Sequence, residues 1–172
     1  GGAPPPVSLP CDSRLLEEGL LPCLPAIVAE RGLQPGALVL QLHQQVLVEA
    51  TATLRERLLA LSQTGLGLAV SEFGSGGSLP LPAEPLPLQA VVLGRESKLL
   101  SQGGMAGGKL AAALIAFCHA LDSTVVADGV QTQERRRQLA QLGCDQGQGP
   151  LFAATLTVDE VTALLAAAEK RC

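Results

Sequence analysis

Short apolar runs of strand length alternate along this chain with longer stretches in which apolar residues recur every three or four positions. That alternation is the pattern of βα units repeated around a parallel sheet. Val7-Ser8-Leu9 reads as a first short strand. From Ser13 to Arg31 the residues Leu15, Leu16, Leu20, Leu24, Ile27 and Val28 give a helical stripe, with Pro22 and Pro25 predicting a kink or break. Ala37 to Leu42 is a buried strand, and Val46 to Ser62 the next helix, stopped near Gly65. Leu66 to Val70 is a strand, Gly74 to Pro87 an extended Gly-, Ser- and Pro-rich loop, and Gln89 to Leu93 a strand. A mobile polar segment, Glu96 to Gly108, precedes a helix from Lys109 to Leu121 and a strand from Thr124 to Ala127. Gln131 to Leu142 is a helix with a charged face, ended by Gly143, and a short strand is expected around Pro150 to Phe152. Thr157-Val158-Asp159-Glu160 forms a capping box for a last helix.

These elements make an α/β fold of about six βα units, where a closed TIM-type barrel has eight and runs to roughly 250 residues. The expected architecture is an incomplete (βα) barrel. A sheet left open in this way exposes unpaired backbone groups at two edges. The expected cover is the Pro-rich N-terminal segment, a second copy of the chain, or a different protein.

Composition narrows the class. With 172 residues, 47% of them hydrophobic, the chain can bury one sizeable core. A net charge of −4 and a pI near 5.1 give no electrostatic reason to expect a DNA or RNA partner, and only Phe73, Phe117 and Phe152 are aromatic, so no nucleic-acid partner is expected. Cys11, Cys23, Cys118, Cys144 and Cys172 show neither CxxC nor His-paired spacing and read as reduced thiols in the cytoplasm. No apolar run reaches the roughly 20 residues that span a bilayer. Gly1-Gly2-Ala3-Pro4-Pro5-Pro6 reads as a linker, giving residues 1–6 as linker and 7–172 as one domain.

Two phrases carry the chemistry: Ser71-Glu72-Phe73-Gly74-Ser75-Gly76 and Ala127-Asp128-Gly129-Val130-Gln131-Thr132, followed by Gly143-Cys144-Asp145 and Gln148-Gly149. They resemble, in order, the DDFGTG, AEGVET and GCD..QG motifs of the EAL domain, the family of cyclic di-GMP phosphodiesterases. The resemblance implies a barrel whose first strands, with the Glu-Ala-Leu tripeptide that names the family, are absent here. It also implies a reaction. EAL enzymes cleave a phosphodiester with two divalent metals, Mg or Mn, held by carboxylates and an Asn beside a Lys.

Carried over by flanking residues, those positions are altered. Ala37 to Gln44 resembles the LxLEITE strand, placing Gln41 at a metal-binding Glu and Gln44 at the second Glu. Val7 to Pro10 resembles the strand that ends in the metal-binding Asn, with Pro10 in its place. Leu86 to Gly94 resembles LPVDxLKID, with Val92 at the Lys and Gly94 at the Asp. Ser71 and Glu72 replace the paired Asp, Asp128 replaces a Glu, Gln131 another, and Gln148 is unchanged.

Gln41, Ser71, Glu72 and Asp128 are therefore read as vestigial metal-site positions, with no catalytic residue, no metal and no cofactor expected. Arg95, Lys98, Gln148 and Gly149 are the candidate nucleotide-binding residues. The first reading is a degenerate, catalytically inactive EAL-like signalling domain that acts on a protein partner or homodimer. The alternatives are a receptor that holds cyclic di-GMP without hydrolysis, and an active phosphodiesterase. His43 reads as a surface or hydrogen-bonded histidine rather than a base, and His119 as one without an acidic or cysteine partner at ligand spacing. Cys118 and Cys144 read as small buried hydrophobes, and Arg135-Arg136-Arg137 as a solvated helix face.

Overall fold

Six strands pair in chain order, β1 to β6, and every pairing is parallel. The structure is a computed structural model that describes residues 5–12, 16, 21–75, 86–94 and 105–169. The strands are β1 (Val7–Cys11), β2 (Leu38–His43), β3 (Gly67–Phe73), β4 (Leu88–Leu93), β5 (Thr124–Ala127) and β6 (Gln146–Gly147). The helices are α1 (Leu24–Glu30), entered through a 3-10 turn at Leu21–Cys23, α2 (Gln44–Glu49), α3 (Ala52–Gln63), α4 (Met105–His119), α5 (Gln133–Gln141) and α6 (Val158–Glu169). β1 and β6 are not paired with each other, so the sheet curls as a barrel that does not close.

Residues abreast in a parallel register share a face, and the two faces of this sheet differ. Leu40, Leu42, Leu68, Val70, Val91, Leu93, Val125 and Ala127 point toward the helices and belong to one continuous buried cluster. The opposite face, the lumen, carries Pro10, Gln41, Ala69 and Ala90 abreast of one another. Helices meet the first face with stripes of matching period: Ala111, Leu114, Ile115 and Cys118 on α4, Leu58 and Leu61 on α3, Leu24 and Val28 on α1.

Several elements depart from what the sequence pattern predicts. The helix expected over Val46 to Ser62 is two helices, because Thr51 adopts an extended backbone and its hydroxyl accepts from Leu54 N at 3.2 Å, capping α3. Upstream, the His43 ring caps α2 by accepting from Gln45 N at 3.1 Å. α4 begins at Met105, so residues 105–108, expected in a polar segment, are helical. Packing of the 111/114/115/118 stripe outweighs the low helix propensity of Gly107 and Gly108. The rest of that polar segment and most of the Gly74 to Pro87 loop lie outside the described residues. Pro150 to Phe152 is a turn, not a strand: Leu151 N donates to Val130 O and Phe152 N to Gly149 O. The sixth strand comes earlier, at Gln146 and Gly147, abreast of Val126 and Ala127. The capping box holds: Glu160 accepts from Thr157 N at 2.7 Å, and Thr157 Oγ1 accepts from Glu160 N.

His119 meets a carboxylate that lies far from it in sequence. Its Nε2 lies 2.8 Å from Asp145 Oδ2, the same oxygen that accepts from Val125 N at 2.7 Å, so one carboxylate ties the end of α4 to β5. These bonds, Val125 N–H first and His119 second, hold the Asp145 carboxyl below its ordinary range. A carboxyl depressed in the native state adds stability above its unfolded pKa near 4, and that stability is lost as pH falls through the native value. Asp145→Asn is therefore expected to lower the melting temperature by a few degrees at neutral pH, about 1 kcal/mol for a pair this exposed. Wild type and variant should begin to converge in melting scans as pH falls below about 4 and should meet once it has passed the lowered native value.

The outer rim of β1 is poorly suited to strand addition. Val7 N donates to Ala37 O, so by alternation Leu9 and Cys11 also turn their backbone groups to β2 while Ser8 and Pro10 face outward. Pro10 has no N–H, which leaves Ser8 with the rim's single outward donor within this strand.

Candidate functional site

The carboxyl ends of parallel strands are where βα barrels assemble their sites, and here those ends bring together the residues singled out by the motifs. Gln41 sits on the lumen face of β2, flanked by Pro10 on β1 and Ala69 on β3. Ser71 follows on β3 abreast of His43, and its hydroxyl donates to Leu42 O at 3.3 Å.

The end of β3 is built by a bulge. Val70 pairs with Val91 and Phe73 with Leu93, so three residue steps on β3 match two on β4. Glu72 takes up the extra residue at φ +56°, a left-handed conformation that L side chains rarely adopt. Its consequence is positional. Val70 and Phe73 both return to the buried core, and the two residues between them are held at the lumen mouth.

The Glu72 carboxylate lies over Gly94, the residue that follows β4. A Cβ built on Gly94 would stand 2.7 Å from Glu72 Cδ and 3.1 Å from Glu72 Cα, so the absence of a side chain at 94 is what admits Glu72 there. The turn after Glu72 is fixed from below. Buried Gln44 accepts from Gly74 N at 3.1 Å and donates to Ser75 Oγ at 3.0 Å, while Ser75 Oγ donates to Glu72 O at 2.7 Å. Gln44 satisfies both a donor and an acceptor here, which a carboxylate could do only if protonated.

One strand further on, Asp128 N donates to Leu93 O, and Gln148 N to Ala127 O. Gln148 Nε2 donates to Asp128 Oδ1 at 2.9 Å, joining the ends of β5 and β6 through side chains. Gly149 adopts φ +141°, and a Cβ there would stand 2.5 Å from Val130 N and 2.7 Å from Val130 O. Its place is dictated by a close backbone approach. Arg95 and Lys98 lie outside the described residues.

Among the described residues the strand ends thus present the carboxylates of Glu72 and Asp128, with the amides of Gln41 and Gln148 and the hydroxyl of Ser71, and Asp12 directly follows β1. Two hard cations require several anionic oxygens in the shell they share. Among the described residues no group of three or more His, Cys, Asp or Glu side chains is placed to hold a metal. The donors that the described residues place here do not fit a two-metal centre.

Burial pushes the Cys118 thiol up to about 11, and it also raises half-buried Cys144, whose sulfur donates to Val125 O and Gln146 O. The four described cysteines are free thiols. Among the described residues, no helix is long and apolar enough to cross a membrane.

Sequence reasoning missed the bulge at Glu72, its seat over Gly94, the double bond of Gln44 to the turn, and the His119–Asp145 pair. Each joins residues 20 or more apart or rests on a backbone conformation unusual for its residue type.

Comparison with known proteins agrees with this geometry. The family model for the EAL domain matches residues 2–155. The cyclic di-GMP phosphodiesterase RocR of Pseudomonas aeruginosa is 29% identical over 141 residues, covering 82% of this chain and 36% of RocR. The crystal structure of the EAL domain of Mycobacterium smegmatis DcpA superposes with a TM-score of 0.81 at 26% identity, covering 94% of this chain and 72% of that one. A complex of the PaMucR phosphodiesterase with c-di-GMP gives a TM-score of 0.76 at 20% identity, covering 91% and 70%. The chain spans little more than a third of the length of RocR.

Proposed function

We propose that this chain, which belongs to the EAL domain family, is a catalytically inactive signalling module of the cytoplasm that works through a protein partner rather than by hydrolysing cyclic di-GMP. The observation that carries the reading is the donor set at the strand ends: among the described residues Glu72 and Asp128 are the carboxylates at the motif positions, and Gln148 already holds Asp128 by a hydrogen bond. Neutral side chains occupy the other motif positions, with Pro10 on β1, Gln41 on β2, Ser71 on β3, and Val92 and Gly94 at the end of β4. Among the described residues such a set offers few negative charges to two divalent cations, and loss of several ligands together is not offset by raising the metal concentration. A fold supplies a scaffold, and the activity follows from the groups placed on it.

A second reading, a receptor that binds cyclic di-GMP without turnover, is favoured by one observation. The Asp128–Gln148 pair and the Gly149 backbone are held in fixed geometry at the mouth, and PaMucR was solved with that nucleotide. Binding without hydrolysis would recruit Arg95 and Lys98 for the phosphates.

Isothermal titration separates the readings. With Mg or Mn alone, no heat of specific binding is expected. Cyclic di-GMP that gives no heat with or without metal supports a protein-binding module, and saturable heat that is weakened by Gln148→Ala supports the receptor. Saturable metal binding at two sites per chain would overturn both.

A further inference from the structure

The helices that follow β2, β4 and β5 bury apolar residues against the sheet: Leu58 and Leu61 of α3, Leu114 and Ile115 of α4, and Leu139 of α5. α6, which follows β6, does not, and its side chains from Val158 to Ala167 are all exposed. Val158, Val161, Leu164 and Leu165 recur at three and four residues and form one apolar stripe, with Val158 82% and Leu164 56% exposed. A helix of 12 residues is marginal in water without tertiary packing.

The sheet has an uncovered place where such a helix belongs. A groove of about 290 Å³ lies between α5 and β6, lined by Ala127, Val130, Leu139, Ala140 and the half-exposed ring of Phe152. Two charged side chains also line it, and they differ in state. Asp145 is held by Val125 N and His119, whereas Arg136, among the described residues, bonds only the amide oxygen of Gln133 at 3.3 Å.

The next helix of the same chain fits this groove. Val158 is six residues beyond Phe152, and six residues at full extension reach about 20 Å, so the start of α6 is tethered within range. Helices of parallel βα units start at the carboxyl ends of the strands and run back along the sheet. Laid down in that way α5 and α6 are parallel, and their first turns sit side by side, Arg136 of one level with Glu160 of the other. Glu160 borders the apolar stripe, and its bonds to Thr157 N and Oγ1 both fall on Oε2, which keeps Oε1 for a guanidinium. Acids in the first turn also suit the helix's own dipole, but that arrangement by itself leaves the stripe in water.

We propose that α6 is a strap that closes onto the α5–β6 groove of its own chain, burying its stripe against Val130, Leu139, Ala140 and Phe152 and pairing Glu160 with Arg136; the detached helix is the open state. The apolar stripe supplies the attraction and the exposed ion pair sets the register. The strap contributes no residue to the strand-end mouth, so its closure does not depend on what that mouth binds.

Amide hydrogen exchange on the full chain tests the closure. The α6 amides are expected to exchange more slowly in the wild type than in Ala140→Glu, which puts a charge into the groove from an exposed position, and their protection should not change with protein concentration. Arg136→Glu should speed α6 exchange several-fold and Arg136→Lys should leave it near wild type, with the amides of β3 and α4 unchanged in all three variants. Equal α6 exchange in the wild type and Ala140→Glu, or in Arg136→Glu and Arg136→Lys, would overturn the proposal. Protection that appears only as concentration rises would overturn it as well, because a second copy and not the chain's own groove would then be the cover.

Discussion

Gly149→Ala is expected to destabilise the domain by about 3 kcal/mol and to detach Gln148 from Asp128, because the added methyl would collide with backbone rather than with a side chain that can swing away. Its Cβ would meet Val130 N at 2.5 Å and Val130 O at 2.7 Å. Both atoms are already committed, Val130 N donating to Gln148 O and Val130 O accepting from Leu151 N. Relief of the clash must break one of these bonds, and the φ of +141° is itself a conformation for glycine. Denaturant unfolding measures the loss of stability, and the side-chain amide resonances of Gln148 report the loss of the Asp128 bond. A change of only a few tenths of a kcal/mol would contradict this account of the glycine.

Leu68→Ala is expected to cost about 3 to 4 kcal/mol, a large share of the 5 to 15 kcal/mol that holds most domains folded. Leu68 is fully buried in β3, abreast of Leu40 on one side and Leu88 on the other, so little can collapse into the space it vacates. Leu110→Ala, half exposed on α4, is the control and should fall within about 0.5 kcal/mol of wild type. Equal effects at the two positions would mean that β3 is not the centre of the core.

Both glycine and leucine positions were visible in the sequence for different reasons. Short runs of β-branched and apolar residues mark strands, which is why Thr124 to Ala127 is found with its bounds unchanged and Leu66 to Val70 to within a few residues. Motifs mark Asp128, Gln148 and Gly149, and the fold brings them together at adjacent strand ends. Helix boundaries were less legible. Thr51 interrupts a run that is helical by period on both sides, and a hydroxyl cap outweighs periodicity at that one residue. The short β6 was displaced because Leu151 is apolar for a different reason: it packs against the core from a turn.

The site's finer geometry could not be read from spacing. A glutamate at φ +56° gives no sequence signal, since its propensity points to ordinary helix or strand conformations. Its seat over Gly94 depends on two changes that a one-dimensional comparison treats separately, a carboxylate present on β3 and a side chain missing after β4. His119 and Asp145 are 26 residues apart, beyond any local pattern, and meet because α4 and the turn before β6 flank the same strand.

Incubation of the purified chain with cyclic di-GMP and excess Mg or Mn tests most directly the proposal that the chain does not cleave the phosphodiester. The expected result is no linear dinucleotide above a protein-free control at any protein concentration. Product that grows with the amount of protein and disappears in the Glu72→Ala variant would contradict it.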